Sequence, residues 1–161
     1  MSLNNKLPFE IVHIELANSY EDAQKIAQRY NAELPTMEQL GQLATYLYNY
    51  DEIIGDQQDI SSGINLDITK ASQFISASPF SNRFYVWSGQ EYSRNYAYYR
   101  YFGPTYTYWY TYVRYYSGNL NGLAVCLGEV PVKNIREELD SDIKKWMEEL
   151  SKRYEYNSIT T

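Results

Sequence analysis

The chain has 161 residues, 44% of them hydrophobic and 21% charged, with a net charge of −6; that length predicts one domain with a core burying roughly two thirds of the unfolded chain's surface. A single cysteine, Cys126, and a single histidine, His13, exclude an intrachain disulfide framework and a multi-cysteine zinc site, and leave little for histidine chemistry. The acidity argues against binding driven by phosphate contacts, and no apolar run approaches the length of a membrane span.

Residues 9–16 read as a first strand, with Phe9, Ile11, Val12 and Ile14 interleaved imperfectly with Glu10, His13 and Glu15. Ser19 then caps a helix, with Asp22 at the capping-box distance and Ala23, Ile26, Ala27 and Tyr30 along one face; Asn31 stops it. Pro35 breaks the chain. Thr36 and Gln39 form a second capping box, and Leu40, Leu43, Ala44 and Leu47 carry a second helix ending near Tyr48. From Asn49 to Asn82 the pattern dissolves into Asp, Asn, Ser, Gln and Gly, the reading of a loop with short helical pieces around Lys70–Ile75. A stretch so long inside a compact domain predicts some internal order.

After Arg83 the period becomes two. Strands are expected at Phe84–Gly89, Tyr96–Phe102 and Tyr106–Val113, with turns at Gly103-Pro104, Ser117-Gly118-Asn119 and Asn121-Gly122. Leu123–Leu127 is a continuous apolar run, as in a strand buried on both faces. Beyond Lys133, Ile135, Leu139, Ile143, Trp146 and Leu150 recur at helical spacing, with Asn134 and Glu137 as the cap. The expected organisation is a domain over 1–132, an amphipathic helix over 133–154 and a disordered tail over 155–161.

Of the 19 tyrosines, 12 fall between Tyr85 and Tyr116. Tyrosine is a good strand former, and the plainest reading is that the rings coat an ordinary sheet. Cores, however, favour Val, Ile, Leu and Phe, because a buried tyrosine needs a partner for its hydroxyl. So dense a set cannot all be interior, and an exposed aromatic patch marks a binding surface. Tyrosine offers a large, rigid, amphipathic contact with two torsions to freeze, which is why antibody combining loops are rich in it. The same window is depleted: residues 92–125 contain no Glu, Lys, Gln or Met, although these supply 31 of the 127 residues outside it. At that rate about eight would be expected.

Other chemistry is sparse. Cys126 sits in an apolar strand and reads as a buried structural thiol rather than a nucleophile, and His13 as a packing or surface residue. Asp51, Glu52, Asp56, Asp59 and Asp67 read as a solvated acidic loop without EF-hand spacing. Arg94, Arg100 and Arg114 among the tyrosines keep a single-stranded nucleic-acid reading open, disfavoured by the net charge. Arg100 also interrupts the apolar alternation of its strand. The stripe carrying Trp146 and Leu150 fits packing on its own domain, self-association or docking on another assembly, and the sequence does not separate these.

Three segments together resemble the prokaryotic C-type-lectin-like fold. Leu34-Pro35-Thr36-Met37-Glu38-Gln39-Leu40 is similar to its LPT helix start. Val86-Trp87-Ser88-Gly89-Gln90-Glu91-Tyr92 followed by Ala97-Tyr98-Tyr99-Arg100-Tyr101-Phe102 is similar to its central strand pair, and Ala124-Val125-Cys126-Leu127-Gly128 to its closing strand. The likeness runs from about Ile11 to Val130. Within that fold the chain resembles variable proteins of diversity-generating retroelements, in which a reverse transcriptase miscopies adenines. Template asparagine codons can then become codons for every amino acid except Glu, Lys, Gln, Met and Trp. The window 92–125 lacks the first four, and Trp109 is then a fixed template residue. Calcium-dependent lectins of the fold carry Glu-Pro-Asn or Gln-Pro-Asp with Trp-Asn-Asp, absent from this sequence, and its formylglycine-generating enzymes need more cysteine chemistry than Cys126 supplies.

The expectation is therefore an α+β C-type-lectin-like domain with two helices and an antiparallel sheet, followed by a C-terminal helix. Its function is ligand binding rather than catalysis, with no cofactor or metal. The ligand, most naturally a protein, meets Tyr92, Asn95, Tyr96, Tyr99, Tyr101, Tyr106, Tyr108, Tyr110, Tyr112, Tyr115, Tyr116, Asn119 and Asn121. With no visible signal peptide, the expected setting is cytoplasmic or virion-associated. The rival classes are a small enzyme or calcium-dependent lectin using the acidic loop, and a single-strand binder using the aromatic sheet.

Overall fold

The computed structural model describes residues 7–52, 54–115, 120–128 and 142–151. Strand β1 (Glu10–Leu16) leads into helices α1 (Tyr20–Arg29) and α2 (Met37–Leu47), then a short strand β2 (Asp59–Ile60) and helix α3 (Ser72–Ala77). Strands β3 (Phe84–Ser93), β4 (Tyr96–Phe102), β5 (Thr107–Val113) and β6 (Gly122–Gly128) follow. Residues 142–151 are helical. The fold is thus a mixed α+β arrangement around one open six-stranded sheet, ordered β1-β6-β3-β4-β5-β2.

The helix starts follow their capping chemistry. Ser19 Oγ accepts from the Asp22 N–H, but the Asp22 carboxylate reaches one residue further back, to the Asn18 N–H, so the expected box is incomplete. At α2 the box is complete: Thr36 Oγ1 accepts from the Gln39 N–H, and Gln39 Oε1 from the Thr36 N–H. Asn31 ends α1 with φ +51°, a left-handed geometry that asparagine tolerates.

The sheet differs from expectation in two respects. It is not wholly antiparallel: β6 enters between β1 and β3, pairing antiparallel with β1 and parallel with β3. Its run Leu123–Leu127 is buried on both faces, the environment that a continuous apolar strand requires. Second, the segment read as loop contributes β2, which pairs with the start of β5. The imperfect alternation of β1 is a register shift between Ile11 and His13. A further shift follows Trp87, where Gly89 donates to Pro35 O and Gln90 accepts from the Met37 N–H, tying β3 to the start of α2.

The sheet separates two cores. On one face Phe84, Val86, Phe102, Leu123 and Val125 pack with Leu40, Leu43, Ala44 and Leu47 of α2 and with Phe74 of α3. On the other, Trp87, Ala97, Ala124 and Cys126 pack with Tyr20, Ala23, Ile26 and Ala27 of α1. Helix α1 lies mainly over β6 and β3 on that face. Gly41 of α2 lets the chain at Gly55 close in, since a Cβ there would lie 1.8 Å from Gly55 O. Thr45 Oγ1 fixes the same approach by accepting from the Ile54 N–H.

Candidate ligand-binding surface

Strands β4 and β5 pair without a break from Tyr96 opposite Val113 to Phe102 opposite Thr107. Unbroken register puts alternate residues on alternate faces. Tyr106, Tyr108, Tyr110 and Tyr112 therefore share one side, which also holds Tyr101, Tyr99 and Ala97 of β4 and Tyr85 and Trp87 of β3. The rings interlock across the strands. Tyr99 meets Tyr85, Trp87, Tyr108 and Tyr112 at centroid distances of 5.7, 6.4, 6.2 and 6.5 Å, nearly edge to face. Tyr101 meets Tyr85, Tyr106 and Tyr108 at 4.9, 5.1 and 5.1 Å.

This layering sorts the expected residues by depth. Tyr99 and Tyr101 are each only 5% exposed, because flanking tyrosines from β3 and β5 close over them; they form the floor of the surface, not its outer layer. Burial, with neighbouring tyrosine hydroxyls, holds both phenols well above the usual value near 10. Tyr108 and Tyr112 are half-buried, while Tyr106 and Tyr110 stand out, Tyr110 at 59%. A neutral, hydroxyl-bearing aromatic surface is the result.

The reverse side of the same strands is structural. Arg100 is fully buried, its Nε donating to Thr107 Oγ1 at 2.9 Å and its Nη1 to Gln57 O at 3.1 Å. Burial without an ion-paired acid lowers its pKa to about 10. The Trp109 indole N–H donates to Asp56 O at 2.7 Å, and its backbone exchanges hydrogen bonds with Gln58. Arg100 and Trp109 thus strap residues 56–60 across the back of the tyrosine sheet. The Tyr48 hydroxyl, from the end of α2, lies 2.6 Å from Gly103 O and 3.1 Å from Tyr106 O, pinning the β4–β5 turn.

The remaining expected residues do not all join the main face. Tyr92 and Tyr96 are exposed toward the reverse side, where Tyr98 meets Tyr92 at 5.6 Å and Trp109 at 5.4 Å. With Gln58, Trp109, Tyr110 and Thr111 they line a shallow depression of about 470 Å³ at the β5 edge. Tyr110 joins this depression to the main face. Asn95 is exposed in the β3–β4 turn, and its carbonyl accepts from the Arg114 N–H. Tyr115 is exposed, its hydroxyl donating to Arg94 O at 3.0 Å. Arg114 is clamped between Glu21 (2.8 Å) and Glu91 (2.7 Å), locking α1 to this end of the sheet. Asn121 is half-buried with φ +55°, a turn position more than a contact position. Tyr116 and Asn119 lie outside the described residues, as do residues 133–141 and 152–154 of the expected helix and the whole of the expected tail.

Tyr85 and Trp87, not among the expected residues, share this face, and their two-residue spacing continues the Tyr99–Tyr101 pattern across the sheet. Nothing in the spacing alone points to Gln58 in the depression, because its placement depends on the strap. Elsewhere, Cys126 is fully buried, and burial pushes its thiol up to about 11, the opposite of activation. His13 stacks on Tyr30 at 3.9 Å and lies 2.9 Å from Glu15. In the acidic segment, the Asp67 carboxylate is taken by Asn49 and the Lys70 N–H. No group of three metal-ligating side chains is present among the described residues, and none of their helices is long and apolar enough to cross a membrane. No family model matches the chain, and neither a curated protein nor a solved structure is significantly similar to it.

Proposed function

We propose that the chain is a ligand-binding protein of C-type-lectin-like fold whose tyrosine face engages a protein partner. We propose further that this face is diversified by adenine mutagenesis from a retroelement template. The observation that carries the reading is the parity of β4 and β5. Trp109, the one residue of the window that such mutagenesis cannot produce, points away from the tyrosine face and holds the strap at Asp56. The residues of the tyrosine face within the window, from Ala97 to Tyr112, are all within its reach. Diversification then changes contacts while the rear of the same strands keeps the scaffold.

The chemistry fits a protein ligand. The surface is broad, aromatic and uncharged, with rigid rings and hydroxyls that both donate and accept, as in antibody combining sites. The single-strand reading loses support from its arginines: Arg100 is buried and Arg114 is held by two carboxylates, which leaves Arg94 as the exposed cation of the three. Sequencing the complete locus tests the reading. It requires a repeat matching the coding region of residues 87–127 except at adenines, beside a reverse transcriptase gene; a complete locus without that repeat overturns the diversification. A display library varied at Tyr106, Tyr108, Tyr110 and Tyr112 tests the binding half, since it yields binders to unrelated proteins only if these positions carry recognition.

A further inference from the structure

Every residue of the helix 142–151 is exposed. Its large apolar side chains are Ile143, Trp146, Met147 and Leu150, with Trp146 at 71% and Met147 at 64% exposure. At 3.6 residues per turn the four form one stripe about 100° wide, the pattern of a helix built to pack against something.

The flanks of the stripe indicate what covers it. Asp142 and Glu149 border it beside Trp146, and Lys144 borders it beside Met147, while Lys145 and Glu148 lie on the back of the helix. When two identical helices pack in parallel, opposite flanks meet; when they pack antiparallel, like flanks meet. Parallel copies therefore set Lys144 of one chain against the acidic flank of the next, whereas antiparallel copies set acid against acid. An anionic lipid surface fits poorly, because Lys144 and Lys145 are outnumbered by Asp142, Glu148 and Glu149.

We infer that residues 142–151 are a self-association helix, through which copies of this chain pack their Ile143–Trp146–Met147–Leu150 stripes together in parallel. The flanking charges set the direction of packing, and the apolar stripe supplies the adhesion. Assembly gathers several tyrosine surfaces into one particle, so a target with repeated sites is held by avidity. That consequence rests on the proposed function; the assembly itself does not.

Sedimentation equilibrium of the full chain reads the assembly without any ligand. The expected mass is a multiple of the 18.9 kDa chain. Trp146→Glu reduces it to the single-chain value while the near-ultraviolet circular dichroism of the tyrosine sheet is unchanged. Lys144→Glu weakens the assembly, and adding Asp142→Lys with Glu149→Lys to the same chain restores it by exchanging the flanks. Leu150→Cys forms an interchain disulfide with itself under mild oxidation, against a low background because Cys126 is buried. Four results overturn the inference: a single-chain mass at every concentration; an assembly that survives Trp146→Glu; cross-linking of Leu150→Cys only to Ile143→Cys on another chain; and a monomer that binds phosphatidylglycerol vesicles through this helix.

Discussion

The two sides of the β4–β5 pair are made from alternate residues of the same strands, yet they face different demands. One side carries Tyr99, Tyr101, Tyr106, Tyr108, Tyr110 and Tyr112, graded from buried floor to exposed ring. The other carries Arg100, Phe102, Thr107 and Trp109, each bound to a helix, a strap or a core cluster. The lesson is that strand parity can divide an exposed aromatic surface from the residues that hold the sheet. A change at the exposed rings Tyr106 and Tyr110 alters what is presented, and a change at Arg100, Phe102 or Thr107 alters whether the sheet forms.

The contrast is broken most severely from the inner side. Phe102 is fully buried and stacked on Phe84 at 4.9 Å. Phe102→Ala is expected to cost about 3–5 kcal/mol by leaving a cavity under the sheet. Tyr110→Ala, on the opposite face of the sheet and 59% exposed, should stay within about 0.5 kcal/mol. Urea denaturation of the two variants measures both. Comparable losses would mean that the tyrosine side is a core face after all.

Alkaline pH probes the floor of the outer side. Burial holds Tyr99 and Tyr101, and Tyr48 beneath the turn, well above the unfolded value near 10. Below that value both states are protonated, so the stabilisation is present in full. As pH rises past it, the unfolded chain loses protons that the folded chain retains. Stability then falls by about 1.4 kcal/mol per pH unit for each such group, until the folded value is passed. Arg100, lowered to about 10, has the opposite sign: between 10 and its usual, higher value the folded state releases the proton first, which offsets one tyrosine. Tyrosinate absorbance followed with unfolding should show late ionisation of these phenols coupled to loss of structure. Replacing Tyr99 and Tyr101 by Phe should flatten the slope, and an unchanged slope would remove them from the buried layer.

The strap is a smaller lever on the inner side. Trp109→Phe keeps the ring but removes the donor to Asp56 O, an expected loss of about 1 kcal/mol. Hydrogen exchange should rise at the Trp109 N–H, which is bonded to Gln58 O. No change there would mean that the indole bond does not hold the strap.

How much of this was legible in the sequence follows from which forces are local. Capping residues and helical spacing placed α1 and α2, since Ser19, Thr36 and Gln39 act within one turn. Period-two alternation placed β4 and β5 and the shared side of Tyr106, Tyr108, Tyr110 and Tyr112. The sandwiched position of β6 was not legible, because its parallel pairing with β3 joins residues far apart in the chain. Arg100 looked like a defect for a similar reason: its partner Gln57 lies 43 residues away in a segment without periodicity. The burial of Tyr99 and Tyr101 was also hidden, since it depends on rings from two neighbouring strands closing over them. Composition can announce an aromatic surface, but only register separates its floor from its outer layer.

The smallest expected effect is the most informative about purpose. Tyr92, Tyr96, Tyr106, Tyr110 and Tyr115 are exposed at 41–61%. Simultaneous replacement by residues that adenine mutagenesis can reach, such as Asn, Ser or Asp, should leave each position within about 0.5 kcal/mol. The rings of the five meet Tyr98, Tyr101 and Tyr108 rather than one another, so their effects should nearly add. Melting temperatures across such a set should therefore form a narrow distribution. The same substitutions at Phe102, Thr107 and Trp109 should form a broad one, because there each change opens a cavity or strands a buried polar group. Differential scanning fluorimetry of the two libraries compares the distributions directly. If their widths are equal, exposure does not separate tolerant from intolerant positions, and the tyrosines are there to build the sheet rather than to meet a partner.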